Sequence, residues 1–207
     1  MKLRTLEIAL QKVAGFTAPD AALEQYMTPP AIAARMLFDA YMKGDIEGMK
    51  ILDLGCGTGM LSIGAALLGG EVTGIDTDAA ALRTAEENAK QSGIRADFFE
   101  RTLPLPPASA KPDPLFERGF DTVVMNPPFG AQKEHADRPF IETALYCAPV
   151  VWGIFNKGTI PFLKAYTKGT AEITSMVSAK LNIPRQFSFH TKDSLEIPVE
   201  IVRMERR

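Results

Sequence analysis

The sequence predicts an α/β fold with an open, mostly parallel sheet and helices on both of its faces. From residue 50 onward, short apolar runs alternate with segments of helical periodicity, which is typical of parallel strands joined by right-handed crossovers. Two long segments near the C-terminus, Ala171–Met176 and Leu195–Met204, indicate an antiparallel hairpin at one sheet edge. The chain has 207 residues, of which 46% are hydrophobic, so it can bury one substantial core. We expect a single domain over residues 1–207.

Two helices are predicted before the first strand. Apolar residues recur at three- and four-residue steps over residues 3–13, which indicates a helix that ends near Gly15. A second helix is expected after Thr28, whose hydroxyl can cap it, with Pro29 and Pro30 in the first turn. Residues 1–45 therefore form an N-terminal helical segment.

The remaining elements follow from the alternation of apolar runs and helical periods. The predicted strands are Lys50–Leu54, Glu71–Ile75, Ala96–Phe99, Phe120–Met125 and Ala148–Phe155, and the predicted helices are Met60–Leu68, Ala79–Lys90 and Arg138–Cys147. With the C-terminal hairpin, the sheet has seven strands. The stretch between Thr102 and Gly119 is too rich in proline for a helix or a central strand, so we expect a surface loop there.

Composition excludes several classes of protein. No apolar run approaches the roughly 20 residues that cross a bilayer, and we expect a cytoplasmic protein without a membrane partner. The two cysteines, Cys56 and Cys147, do not form a CxxC pair, and no His and Cys cluster has the spacing of metal ligands, so no metal is expected. The net charge of -2 does not suit a free-standing nucleic-acid binder. A nucleic-acid substrate would need a local basic patch or a partner.

A glycine-rich loop directly follows the first predicted strand. Gly55, Gly57 and Gly59 permit positive φ and let the backbone approach a ligand closely. The second strand ends at Ile75-Asp76, and Asp76 lies at its carboxyl edge, about 20 residues after the loop, where a carboxylate can accept both hydroxyls of a ribose. A tight turn without a ligand and a dinucleotide-binding dehydrogenase share parts of this pattern. Residues for hydride chemistry are not apparent, which disfavours the dehydrogenase.

Asp53 favours one cofactor. Its carboxylate precedes the first glycine, where it would repel a pyrophosphate but attract the amino group and the sulfonium of S-adenosylmethionine. The loop therefore predicts S-adenosylmethionine as the cofactor.

The motif Asn126-Pro127-Pro128-Phe129 follows the fourth predicted strand, at the carboxyl edge where open α/β sheets bind ligands. The prolines fix the backbone and aim the asparagine amide. The amino group of adenine, cytosine or an amide is a weak nucleophile, and accepting its two hydrogens frees its lone pair. The Asn126 side-chain oxygen and the Pro127 carbonyl can be the acceptors, while Phe129 stacks on the planar group. The alternative is a stiff turn with Phe129 in the core.

These motifs resemble those of class I methyltransferases with a Rossmann-like fold, and Asn-Pro-Pro-Phe marks members that methylate adenine or glutamine. The segment Glu24-Gln25-Tyr26-x-Thr28 and the Phe189-His190 tail make the chain similar to the methyltransferase-like protein five group, of archaeal type. That group modifies adenine N6 in small-subunit ribosomal RNA. The resemblance implies that residues 1–45 cover the cofactor site and that Gln25 and Thr28 bind the cofactor. Otherwise Thr28 is only a helix cap.

The resemblance also implies a small zinc-binding activator subunit and an acidic residue on the cofactor adenine. Relatives carry that acidic residue as Asp late in the third strand, whereas this chain has Glu100 followed by Arg101. Either Glu100 replaces it from one position earlier, or the backbone alone holds the adenine.

Other polar residues admit a role in the site or a role on the surface. His135 and His190 are lone histidines, for which the predicted chemistry has no need. Lys133 and Lys157 either line the catalytic mouth as phosphate contacts or are solvated loop lysines. A weak patch near the hairpin has the same two interpretations; it comprises Arg185, His190 and Lys192, with Phe187 and Phe189 as stacking faces or as core.

The favoured function is therefore methylation of adenine N6 in RNA. A protein glutamine-N5 methyltransferase needs the same acceptors but usually has a separate N-terminal helical domain, and DNA adenine methyltransferases generally have a target-recognition domain. A catalytically silent S-adenosylmethionine-binding scaffold is the remaining alternative, and the presence of Asp53, the three glycines and Asn126 disfavours it.

Overall fold

The computed structural model describes residues 1–103, 113–116, 119–130, 134–184 and 194–207. In these residues the helices are α1 (Leu3–Leu10), α2 (Pro30–Met42), α3 (Met60–Leu67), α4 (Ala79–Gln91), α5 (Arg138–Cys147) and α6 (Ile160–Tyr166), with a short 3-10 helix at Ala21–Leu23. The strands are β1 (Lys50–Leu54), β2 (Glu71–Asp76), β3 (Ala96–Glu100), β4 (Thr122–Met125), β5 (Val150–Asn156), β6 (Ala171–Pro184) and β7 (Ser194–Arg206).

The strands form one sheet in the order β3-β2-β1-β4-β5-β7-β6. The first five strands are parallel, and β7 pairs antiparallel with both β5 and β6. The predicted α/β class, the seven strands and the C-terminal hairpin at one edge are confirmed. Leu54 at the end of β1 is in register with Ile75 of β2 and Met125 of β4, so the loops after these strands leave the sheet at one edge.

The central strands are buried on both faces because helices cover both sides of the sheet. Along β1, Ile51 belongs to the core that includes α1, α2 and α3, while the next residue, Leu52, belongs to the core that includes α5 and α6. In β4, Val124 and Val123 divide in the same way. Each such fully buried side chain contributes about 2 kcal/mol from burial alone. The two-residue period of the strands therefore fixes the plane that divides the two layers of helices.

Three predicted local features differ from the structure. Helix α1 ends at Leu10 rather than near Gly15, since the chain must turn there for the Ala14 backbone to reach a side chain on α4. The prediction that Thr28 caps α2 is wrong: Pro29 occupies the N-cap without a side-chain hydrogen bond, and the Thr28 hydroxyl is engaged elsewhere. Strand β6 continues well past Met176, because β7 pairs with it along its length.

Some sequence-based expectations fall outside the described residues. These are most of the proline-rich loop, Lys133, and the patch of Arg185, Phe187, Phe189, His190 and Lys192. Among the helices that the structure does describe, none is long and apolar enough to cross a membrane.

Candidate active site

The glycine loop after β1 has the backbone conformation that its sequence predicts. Gly55, Gly57 and Gly59 all have positive φ, at 69°, 53° and 88°. The N–H groups of Gly55 and Cys56 both donate to the Ile75 carbonyl at 2.9 Å, which draws the loop against the end of β2. Gly59 is the N-cap of α3. Only glycine adopts this succession of left-handed conformations without strain.

Two aromatic rings lie against the glycines. A β-carbon built on Gly55 would lie 2.8 Å from Cε1 of Phe140, and one built on Gly57 would lie 2.8 Å from Cζ of Phe16. Both contacts are shorter than van der Waals separation, so larger residues would displace the rings. The glycines thus leave room for the rings of Phe16 and Phe140, while close approach of a ligand to the loop backbone remains a prediction.

Two adjoining cavities open beside this loop. The larger, of about 310 Å³, lies between Gly55, Asp76, the stretch 101–103, residues 22–26 and the first turn of α5. The smaller, of about 40 Å³, is lined by Asp53 and Thr28 among others and shares Asn126 with the first. Pockets of a few hundred cubic ångströms at this sheet edge are suited to a small-molecule ligand.

Asp53 lies in the wall of the smaller cavity. Asp53 is only 1% exposed, and its Oδ2 accepts a hydrogen bond of 2.6 Å from the Ser62 hydroxyl. Its Oδ1 has no hydrogen-bond partner among the residues that the structure describes. Burial raises the pKa of Asp53 to about 7, although the Ser62 hydroxyl acts in the opposite direction. A buried carboxylate oxygen without a partner is costly unless a ligand donates to it. This oxygen fits a cationic amino group.

Asp76 lies in the wall of the larger cavity. Its Oδ2 accepts from the Gly57 N–H at 2.8 Å and its Oδ1 from the Asp78 N–H at 3.0 Å, so the carboxylate is fixed in place. Burial raises its pKa above the usual value. Each oxygen keeps a lone pair with which a ribose hydroxyl can bond.

Not every predicted cofactor residue reaches a cavity. Glu100 is paired in register with Asp76 but is exposed, and the cavity wall at the end of β3 consists instead of Arg101, Thr102 and Leu103. Gly59 also lies outside both walls and packs near Ala85, so it serves the turn into α3. Cofactor binding by Glu100 remains a prediction without a contact that supports it.

Residues 14–28, which we call the covering segment, close the cavities from the N-terminal side. Asn88 of α4 holds its start, since its amide accepts from the Ala14 N–H and donates to the carbonyls of Ala14 and Thr58. Gln25 holds its middle: its Nε2 donates to Asp78 at 2.8 Å and its Oε1 accepts from the Asp20 N–H. The bond from Gln25 is the main cause that lowers the pKa of Asp78.

The covering segment also fixes Asn126, which follows β4 directly. The Tyr26 hydroxyl donates to Asn126 Oδ1 at 3.1 Å, and Asn126 Nδ2 donates to the Thr28 hydroxyl at 2.9 Å. With one partner on each side of the amide, Oδ1 and Nδ2 cannot exchange places without losing both bonds. One lone pair of Oδ1 remains for a further donor.

The rest of the Asn-Pro-Pro-Phe motif is attached to the same segment. The Phe129 N–H donates to a Glu24 carboxylate oxygen at 2.7 Å, and the Phe129 ring lies 5.7 Å from the Tyr26 ring at 48°. Pro127 is buried and Pro128 lines the larger cavity. Phe129 is half-buried against the apolar core and is not part of either cavity wall. A stacking role for its ring remains a prediction.

Several residues of the site have no role in the sequence-based hypothesis. Glu24 and Tyr26 belong to a motif that was recognised, but only their contacts with residues about a hundred positions away reveal what they do. Asn88 left a usable signal, because it lies on the otherwise apolar face of α4 and is 2% exposed. Nothing in the sequence indicates a role for Phe16 and Phe140, because their contacts with the glycines depend on the path of the loop.

Of the two polar residues that the sequence left open, His135 lies in a cavity wall and Lys157 does not. His135 has a φ of 64°, lines the larger cavity and lies 3.3 Å from Glu134. Lys157 is exposed in the turn after β5. In the part of the chain that the structure describes, no group of three or more His, Cys, Asp or Glu side chains is arranged to hold a metal ion.

A sheet of this order, with a glycine loop after β1 and an Asn-Pro-Pro-Phe turn after β4, defines a class I methyltransferase fold. The family model described as Methyltransferase small domain matches residues 31–147. The chain therefore belongs to the methyltransferase small domain family.

Relatives along the whole chain agree with this assignment. The chain is 37% identical to the rRNA N(6)-adenosine-methyltransferase Mettl5 of Drosophila melanogaster, over 99% of this chain and 97% of the relative. It is 38% identical to an uncharacterised protein of Methanocaldococcus jannaschii, over 100% of this chain and 95% of that one. A crystal structure of a putative RNA methyltransferase from Pyrococcus horikoshii superposes with a TM-score of 0.87 at 37% identity and covers 100% of this chain and 98% of that chain.

Proposed function

We propose that this protein transfers a methyl group from S-adenosylmethionine to N6 of an adenine in RNA, and that the RNA is small-subunit ribosomal RNA. The observation that supports it best is the Asn126 amide, which is held in one orientation beside the cofactor cavity with an acceptor lone pair to spare. Full-length relatives named as rRNA N(6)-adenosine-methyltransferases support the choice of acceptor.

The cavity walls suit the cofactor. The free Oδ1 of Asp53 can bind its amino group, and Asp76 can bind the ribose hydroxyls, with the rings of Phe16 and Phe140 beside them. When bound, S-adenosylmethionine supplies an electrophilic methyl group on a cationic sulfur. The two carboxylates, Asp53 and Asp76, match its positive charge.

The residues after β4 act on the acceptor. Asn126 Oδ1 and the Pro127 carbonyl each accept one hydrogen of the adenine amino group, which holds the nitrogen in a reactive geometry. Because the lone pair of this nitrogen attacks directly, no strong base is needed before transfer. The proton leaves the positively charged product amine to solvent. Tyr26 and Thr28 keep the amide in place throughout.

The activator subunit and the cellular location remain proposals. Strand β3 ends the sheet on one side, where its backbone can pair with a strand of a zinc-binding partner. A cytoplasmic location follows from the proposed substrate alone.

Transfer of labelled methyl groups to purified small-subunit ribosomal RNA tests the proposal, with nucleoside analysis of the product. We expect N6-methyladenosine with the wild type and a loss of about a hundredfold or more in rate with Asn126→Ala. Asn156→Ala is a matched control, because Asn156 ends the neighbouring strand β5 but does not line either cavity. It should retain activity. Labelling of a protein glutamine, without RNA methylation, would instead support a protein methyltransferase.

A further inference from the structure

An arginine beside the active site is held by two aromatic rings. Arg138 is the first residue of α5, and its guanidinium carbon lies 5.6 Å from the ring centre of Phe162 and 5.5 Å from that of Tyr166. These two rings of α6 are stacked on each other at 5.1 Å and 26°. Such cation–π contacts restrict the side chain without using the hydrogen-bonding capacity of the guanidinium.

Among the described residues, no carboxylate lies within ion-pair distance of the Arg138 guanidinium. Its Nε is buried and has no hydrogen-bond partner in the part of the chain that the structure describes. The one carboxylate on α5, Glu142, accepts a hydrogen bond from the Tyr166 hydroxyl, and this bond raises the Tyr166 pKa. Asp137 precedes Arg138 and acts electrostatically on the same tyrosine. An arginine that is fixed but unpaired is ready to bind an external anion.

The position of Arg138 relates it to the acceptor. Pro139 and Phe140, the next two residues, line the larger cavity, as do His135 and Ala136 before it. Helix α5 is the next helix after the Asn-Pro-Pro-Phe motif, and it begins at the carboxyl edge of the sheet. Arg138 therefore lies between residues that line the cavity, and its guanidinium lies against the rings of α6.

The segment that carries the two rings is basic, although the whole chain has a net charge of -2. The segment 157–168, which contains α6, includes Lys157, Lys164 and Lys168 and no acidic residue. All three lysines are exposed, and none forms an ion pair with a residue that the structure describes. Their combined field attracts a polyanion to α6 and its flanking turns, while each exposed lysine by itself contributes little at physiological salt.

We propose that Arg138, fixed by Phe162 and Tyr166, binds a backbone phosphate of the RNA strand next to the target adenosine. A planar guanidinium can donate two parallel hydrogen bonds to one phosphate group. Because this contact is made to the backbone, it positions the strand and does not read its sequence. The inference rests on the proposed function, since it assigns a second contact to the same substrate.

Arg138→Met tests the inference, because methionine preserves apolar contact with the two rings and removes the charge. We expect the Kd for a single-stranded RNA with the target adenosine to rise about tenfold. The slope of log Kd against log salt should fall by about 0.7, as for one lost phosphate contact. The Kd for S-adenosylmethionine should stay within about twofold, since Arg138 is in neither cavity wall.

Lys164→Met is the matched control. It removes the same charge from α6, but Lys164 lies two residues after Phe162 and so on another side of the helix. Its effect on RNA affinity should stay below about twofold. Arg138→Lys serves as a second variant if Arg138→Met does not fold. It keeps the charge, so the salt slope should stay as in the wild type, but it cannot donate two parallel hydrogen bonds, so the affinity for RNA should still fall.

Equal RNA affinity in Arg138→Met and Lys164→Met, with a folded protein, would overturn the inference and leave the proposed function intact. A salt slope in Arg138→Lys as low as that in Arg138→Met would also overturn it. A wild type that binds no RNA would overturn the inference together with the proposed function.

Discussion

The affinity for S-adenosylmethionine should depend on the ionisation of Asp53. This carboxyl is 1% exposed and has a pKa of about 7 in the unliganded protein, mainly because of burial. Binding of a cationic amino group requires the ionised form. Ionising Asp53 therefore costs about 1.4 kcal/mol at about pH 6 but only about 0.2 kcal/mol at about pH 7.5. The Kd should fall about eightfold over this interval.

Isothermal titration calorimetry across this pH range measures the effect. The amino group of the ligand stays mostly protonated there, because an α-amino group has a pKa of about 8. Near pH 6, binding should release about one proton, which is detected by comparing buffers with different ionisation enthalpies. Asp53→Asn is the matched variant, since it keeps the shape and removes the titration. Its Kd should be weaker and independent of pH.

Two results would refute this reasoning. One is a wild-type Kd that stays constant across the interval, and the other is an Asp53→Asn variant with the wild-type pH slope. The unliganded proteins give a second readout. The pKa of about 7 in the folded protein exceeds the ordinary value of 3.8, so this carboxyl increasingly destabilises the folded state as pH rises from about 4 to about 7. Above about pH 7, unliganded Asp53→Asn should be more stable than the wild type, by up to about 4 kcal/mol.

Two further substitutions probe the covering segment. Tyr26→Phe keeps the ring but removes the hydroxyl that donates to Asn126 Oδ1. In this variant kcat should fall about fivefold to tenfold, while the Kd for S-adenosylmethionine stays within about twofold. Steady-state kinetics measures kcat and equilibrium dialysis measures the Kd, and an unchanged kcat would contradict the prediction. Asn88→Ala removes three hydrogen bonds to the backbone of Ala14 and Thr58, and it should cost about 2–4 kcal/mol, or about 5–10 °C in thermal unfolding. Glu87→Ala, at an exposed position of the same helix, is the control and should change Tm little.

Much of the site could be predicted because its main groups are local in sequence. A strand that ends before a glycine loop, and a strand that ends before Asn-Pro-Pro-Phe, place Asp53 and Asn126 at one edge once the strands are parallel. That Asp76 lies at the same edge follows in the same way from the end of β2. These positions depend only on hydrophobic periodicity and on the allowed conformations of glycine and proline.

The partners of these groups were not predictable in the same way. Glu24, Tyr26 and Thr28 bond to residues about a hundred positions further along the chain, and no periodic pattern relates the two segments. Thr28 illustrates the difficulty: its position before two prolines suggests a helix cap, whereas its hydroxyl serves Asn126 instead. The local preference for a cap is overridden by a tertiary contact, because the partly buried Asn126 amide takes the Thr28 hydroxyl as a hydrogen-bond partner.

The sequence by itself determined the α/β class, the sheet edge that holds the site and the residue types that act there. These depend on the periods of strands and helices and on turn chemistry, which neighbours in the chain decide. Only the tertiary structure decided that the covering segment holds the Asn126 amide in one orientation. It also decided that, among the described residues, one oxygen of Asp53 has no hydrogen-bond partner and Arg138 has no ion-pair partner. Burial and hydrogen-bond pairing arise between segments distant in sequence, so they exist only once the chain has folded.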